Sequence, residues 1–250
     1  MKHLITLGAA LLAGFAIADS VESTTTFGVL KISAPTNQVA ISAPWVNAGY
    51  TTGDEVVYVK DLVKTSNLTA GDQLLLYTPS TGAYTGWLLS DSKTWSGATT
   101  VTAVGTTTAG TDTTTITRGS ALIVILNGYN DMTDKNVYLY GQYVDTTVDS
   151  WTFAAGQSTL FAPINTTSTA IDLNSAYTWS GVTGGTTGDM IQVQGSDGLV
   201  VKLYYRSGSW QGFNYSTGDW SADYAKIQPG MGAWYVAKSS AVTATKKAAN

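Results

Sequence analysis

A chain of 250 residues with a formal net charge of −4, only 12% charged side chains and no cysteine can bury a sizeable core without disulfide staples. Its acidic balance excludes a nucleic-acid binder, which needs a basic footprint to hold phosphates. The only histidine is His3, so the rest of the chain has no Ser-His-Asp or Cys-His nucleophile and no ordinary zinc site.

Met1-Lys2-His3 begins the chain with positive charge, and residues 4–18 are apolar or small apart from Thr6, ending in Ala16-Ile17-Ala18. That is the pattern of a secretory signal peptide, 1–18, cut before Asp19. The apolar run is shorter than the roughly 20 residues of a spanning helix, so cleavage is favoured over an anchor and no membrane span is expected in the mature chain. The predicted location is therefore secreted or cell-surface. Residues 19–26 form a polar leader with no packing signal.

Strand-like runs then follow at 27–33, 39–43, 55–59, 73–77, 84–89, 99–104, 113–117 and 121–126. Further runs lie at 137–144, 150–153, 158–162, 190–194, 199–205, 210–215 and 232–236. Short β-rich runs separated by Gly, Asn, Asp, Ser and Pro predict an all-β fold of sandwich or barrel type. Helix signal is confined to 60–67 and 171–176. The Thr-rich stretch 97–117 reads as a β-hairpin with Thr facing solvent. An O-glycosylated spacer is the alternative, disfavoured because the stretch lacks Pro.

Landmarks recur in one order. Gly71-Asp72 opens one apolar run and Gly188-Asp189 another; 39–44 and 158–163 both end in Ala-Pro; Gly119 and Gly230 each precede a further apolar run. This spacing predicts two copies of one β unit, packed together. The boundaries read as 27–127 for the first copy, 128–136 for a polar linker, 137–238 for the second copy and 239–250 for a disordered tail.

Candidate chemistry is sparse. Glu occurs only at Glu22 and Glu55, and the adjacent Asp54-Glu55 pair would point to opposite faces of a strand. Ser90-Asp-Ser-Lys93 matches a Ser-Lys pattern by letter but lies in a polar turn. The Asn/Asp-rich run 130–136 lacks the ligand spacing of a calcium loop. Asp72 and Asp189, each following Gly, are expected to hydrogen-bond local backbone. No catalytic residue, metal ligand or cofactor is therefore assigned. Among 8 Trp and 14 Tyr, Trp45, Trp87 and Trp234 suit a core. Trp95 and Trp210 follow polar turns at equivalent positions, which makes them the candidates for ligand contact, with core or edge packing as the simpler reading.

Phe27-Gly-Val-Leu-Lys, Ile41-Ser-Ala-Pro-Trp45, the two Gly-Asp strands and Pro229-Gly-Met-Gly-Ala-Trp-Tyr235 resemble uncharacterised secreted bacterial proteins. In those proteins an Ala-Pro strand, a Gly-Asp strand and a Pro-Gly-x-Gly-aromatic strand recur. The first copy departs from that pattern, with Arg118-Gly-Ser-Ala-Leu in place of the last motif. The resemblance implies export and a β fold and carries no catalytic residues. The expected function is a non-catalytic envelope or extracellular-matrix protein acting by adhesion or self-assembly, its partners itself or cell-envelope components. The alternative is a glycan-binding module that contacts polysaccharide through exposed Trp and Tyr. An Asp-only hydrolase is the third reading.

Overall fold

The computed structural model describes residues 26–34, 37–43, 56–101, 105–117, 119–127, 136–143, 150–163, 169–195, 199–215 and 217–247. The expected signal peptide, almost all of the leader, Trp45, Asp54-Glu55 and most of the 128–136 linker lie outside them. The fold is all-β, with two one-turn helices, α1 (Val59–Leu62) and α2 (Leu173–Ala176). Among the described residues no helix is long and apolar enough to cross a membrane.

In the first half, β1 (Thr26–Ser33), β11 (Asn136–Tyr143) and β4 (Val63–Lys64) form a small sheet in the order β1-β11-β4. A large sheet runs β2 (Gln38–Ser42), β10 (Ala121–Ile125), β5 (Gln73–Thr78), β6 (Ala83–Leu89), β7 (Trp95–Gly97), with β8 (Thr107–Ala109) alongside β6. A two-stranded ribbon joins β3 (Val56–Tyr58) to β9 (Thr115–Thr117). The second half has a small sheet of β12 (Ser150–Phe153), β22 (Val242–Lys246) and β15 (Tyr177–Ser180). Its large sheet runs β13 (Ser158–Phe161), β21 (Ala233–Val236), β16 (Met190–Gln194), β17 (Val200–Arg206), β18 (Ser209–Asn214), β19 (Asp219–Ser221). Its ribbon is β14 (Ile171–Asp172) with β20 (Lys226–Ile227).

Two of the expected boundaries give way. Residues 137–143 do not open the second unit: Asn136–Tyr143 pairs with β1 along its whole length and with β4. Val137 and Leu139 are buried there. Nor do residues 239–247 of the expected 239–250 tail lack structure, since β22 is the middle strand of the second small sheet, with Val242 and Ala244 buried and Thr243 and Thr245 exposed; 248–250 lie outside the described residues. Period-two burial of small side chains makes this a strand that bulk hydrophobicity does not advertise. The Thr-rich 97–117 stretch is not a hairpin on its own either. β8 pairs with β6 and β9 with β3, so both find their strand partners outside the stretch.

Each small sheet lies on the inner face of its large sheet. Ile32, Val63, Val137 and Leu139 meet Val39, Ile41, Leu74, Trp87, Leu122 and Val124 in one cluster that continues into Phe153, Phe161, Tyr177, Ile191, Leu203 and Tyr235. A second cluster, on the outer face, joins Leu75, Ala121 and Ile123 to Leu160 and Ala162. The halves meet through β2 and β13. Ile41 bridges to Met231 and Phe161 to Ser120. Ser42 N donates to Gly230 O at 2.7 Å and Ala162 N to Gly119 O at 3.1 Å. Gly230 and Gly119 both have positive φ, 72° and 82°, a conformation that carries little cost only for glycine. A Cβ at Gly230 would also stand 2.7 Å from Leu30 Cδ2 and 2.8 Å from Ile32 Cγ1.

Asp72 and Asp189 are fully buried. Asp72 accepts from Thr69 N at 2.8 Å, Thr69 Oγ1 at 3.3 Å and Asn127 N at 2.6 Å. Asp189 accepts from Thr183 N at 2.8 Å, Lys238 N at 2.7 Å and Tyr235 Oη at 3.1 Å. Each carboxylate thus bonds local backbone, as expected of a Gly-Asp strand start, and also ties that loop to the chain leaving the neighbouring strand. Burial first, then the charge of Asp189 and the hydrogen bond to it, push the Tyr235 hydroxyl well above its ordinary pKa.

Three outcomes follow from these contacts. Gly230→Ala lowers stability by about 2 kcal/mol or more, from left-handed strain and overpacking together, read as an earlier denaturant midpoint. Asp189→Ala strands three donors, at about 1–3 kcal/mol for each one left unsatisfied, and is expected to lose the folded state at modest denaturant. For Tyr235 the folded pKa lies above the unfolded value of about 10, so its contribution is complete below that pH and is lost as pH climbs past it. Alkaline unfolding followed by circular dichroism is therefore expected to be steeper in the parent chain than in Tyr235→Phe.

Candidate functional site

Trp95 and Trp210 occupy matching places, paired with Leu89 and Tyr205 at the turn from the fourth to the fifth strand in the order of each large sheet. Both point inward. Trp95 is 5% exposed and Trp210 0%. Trp95 Nε1 donates to Val63 O at 3.4 Å. Trp210 is held by its backbone, its N donating to Asn174 Oδ1 at 2.7 Å and its O accepting from Asn174 Nδ2 at 3.0 Å. Its ring stands edge-on to Trp179, Tyr205 and Tyr235. Neither ring can be a ligand platform: a residue that opens a strand after a polar turn still faces whichever side its register dictates. Trp87 is in the core as expected. Trp234 is instead half-buried on the outer face, edge-on to Tyr77 of the other half at 4.8 Å.

The other singled-out residues build no reactive group. Lys93 Nζ donates to Leu68 O, and Ser90 Oγ lies 2.8 Å from Ser92 Oγ, so the Ser-x-x-Lys letters describe a self-bonded turn. Among the described residues no three acidic side chains converge as a metal site would require. Residues 130–135 and Glu55 lie outside them.

The open chemistry is elsewhere, on the outer face of β17, β18 and β19. Strand alternation carries Lys202, Tyr204 and Arg206 to that face from β17 and Gln211 and Phe213 from β18; Trp220 pairs with Phe213 across β18–β19. The rings brace one another: Tyr204–Trp220 at 6.0 Å, Phe213–Trp220 at 5.3 Å and Phe213–Tyr215 at 5.0 Å. The Arg206 guanidinium lies over the Trp220 ring at 4.1 Å, a cation–π contact that fixes the indole. Beside these rings runs a groove of about 870 Å³, continued by Leu199, Val200 and Tyr224. Tyr215 is 91% exposed, Leu199 67% and Val200 60%. Apolar exposure of this density on a folded chain marks a contact surface. Among the described residues its lining holds one lysine and no carboxylate.

The sequence reading missed this groove because it weighed Trp residues by position after a turn. The alternation Lys202-x-Tyr204-x-Arg206 facing Gln211-x-Phe213-x-Tyr215 was the available signal.

Trp210→Ala and Trp220→Ala are expected to separate core from site. The first empties a buried site and costs about 3–5 kcal/mol. The second leaves the denaturation midpoint within about 1 kcal/mol of the parent, as urea titration of both variants will show. The chain matches no protein-family model, no curated protein and no solved structure.

Proposed function

We propose that the chain is an exported, non-catalytic protein built of two copies of one β unit, acting by adhesion or self-assembly at the cell envelope or in the extracellular matrix. The observation that carries this reading is the groove on the second large sheet. Its apolar and aromatic walls are exposed, braced in place and, among the described residues, free of carboxylates, which suits association better than turnover. The absence of His and Cys beyond His3 and the engagement of both repeated aspartates in backbone hydrogen bonds support it. Export rests on the 1–18 pattern.

Glycan binding is the second reading, favoured by one observation: Tyr204, Phe213 and Trp220 form a braced aromatic surface with Arg206 and Lys202 beside it. Such faces can stack on sugar rings while the cations meet polar substituents.

Light scattering over a concentration series, alongside retention on insoluble polysaccharide, tests both. For self-association through the groove, mass rises with concentration in the parent chain and the rise is lost in Trp220→Ala and Tyr204→Ala at unchanged melting temperature. Retention on polysaccharide by a chain that stays monomeric moves the assignment to glycan binding. Release of reducing ends or peptides by the pure protein, lost on changing a single Asp, would overturn the non-catalytic reading.

A further inference from the structure

The first half carries one strand with no counterpart among the described residues of the second. β8 lies parallel to β6, from Tyr84↔Thr107 to Gly86↔Ala109. Tyr84 N donates to Thr106 O and Gly110 N to Gly86 O, both at 2.9 Å. Registers place the second-half equivalents without ambiguity. Gln73 pairs with Leu88, and Met190, which like Gln73 follows the buried aspartate, pairs with Tyr204. Tyr84, Thr85 and Gly86 therefore correspond to Val200, Val201 and Lys202.

Among the described residues, β17 has an open side at those three positions. One flank is covered by β16, through Gln194↔Val200 and Gln192↔Lys202. On the other flank the ladder with β18 begins only at Leu203↔Gly212, and β18 turns from there to pair with β19. The space left is the groove lined by Leu199, Val200, Lys202, Tyr215, Trp220 and Tyr224. In the first half the same space is filled: Val101 packs on the outer face against Gly86, and β8 takes the edge. Lys202 stands where that glycine would be. The backbone groups of Tyr84 and Gly86 that bond β8 have their equivalents in those of Val200 and Lys202, facing the groove.

We propose that this edge is a strand acceptor: a second copy of the chain adds an extended Thr- and Ala-rich segment, parallel to β17 along Val200–Lys202, with its side chains on Tyr204, Tyr215 and Trp220. The occupant is read from the first half, where a Thr-Thr-Ala strand of this chain fills the equivalent edge. Runs of the same type recur in the sequence at 23–26 and 166–170. Main-chain hydrogen bonds supply affinity in such strand addition, and side-chain pockets supply specificity. The proposal rests on the assembly reading above and specifies its geometry.

The test uses the mature chain, its Val200→Pro and Lys202→Pro variants, and the peptide Gly-Thr-Thr-Thr-Ala-Gly, the sequence of residues 105–110. Proline at either position removes an N–H that faces the groove, not one bonded to β16, and edge positions tolerate it. The expected result is a mass that rises with concentration in the parent chain and returns to that of the monomer in both proline variants. Excess peptide returns the parent chain to monomer as well. Folded proline variants that assemble like the parent overturn strand addition. Where a proline variant does not fold, peptide competition decides, and an unchanged mass in excess peptide overturns it. Assembly that survives proline but is lost in Trp220→Ala removes strand addition and leaves the assembly reading standing. A parent chain that stays monomeric at every concentration removes both.

Discussion

The buried carboxylate at the start of β5, repeated at the start of β16, is the constraint on which the large sheets depend. Asp72 holds Thr69 N on one side and Asn127 N on the other; Asp189 holds Thr183 N and Lys238 N. The second partner in each case lies two residues past the end of β10 or β21. A carboxylate shielded from water is tolerable only when its lone pairs are met by donors, so these backbone contacts are obligatory. They fix how far β5 can slide against β10, and β16 against β21. A slip of one residue would turn Leu74 and Ile191 outward and Leu75 and Gln192 inward. The division between an inner core and an outer face is thus set at two residues.

The same register sets the crossing of the halves. Gly119 and Gly230 sit two residues before β10 and three before β21, and both offer a carbonyl to the strand of the opposite half. Positive φ at each turns the chain sharply enough to do so. Their surroundings differ: Trp151 Nε1 donates to Gly119 O at 3.2 Å, whereas Gly230 lies against Leu30 and Ile32. Corresponding backbone geometry is therefore filled by unlike side chains. The larger difference between the halves is at the edges beyond β6 and β17, where one half covers its sheet with Val101 and residues 107–109 and the other leaves an aromatic groove.

How much of this was legible follows from what each signal depends on. The strands β2, β5, β6, β10, β16 and β17 announce themselves through local apolar runs and turn residues, and the two Gly-Asp pairs through repetition. What failed was non-local. Asn136–Tyr143 reads as a strand, but nothing in its own letters says that it pairs back to Thr26–Ser33 rather than onward. Val242-Thr-Ala-Thr carries the right period with side chains too small to register as core. Trp95 and Trp210 were placed by the turns before them, while their direction is decided by pairing with Leu89 and Tyr205. The groove escaped notice because it is a difference between halves, and attention to the repeat favours what they share.

That difference bears on how the groove could work. Ordering flexible side chains on binding costs on the order of 0.5–1.5 kcal/mol each, a cost largely met in advance where rings already hold one another. Trp220 is braced by Tyr204, Phe213 and the Arg206 guanidinium before any partner arrives. Tyr215, 91% exposed, touches Phe213 alone among the described rings and has the most surface to gain by being covered. A fixed floor with one exposed flap favours an extended partner that lies along the strand direction over a compact one, because only an extended chain can meet the β17 backbone and the rings of β18 and β19 together. Neutral edge groups and edge-on rings supply the contact, and the described lining has no carboxylate to repel the chain's own acidic surface.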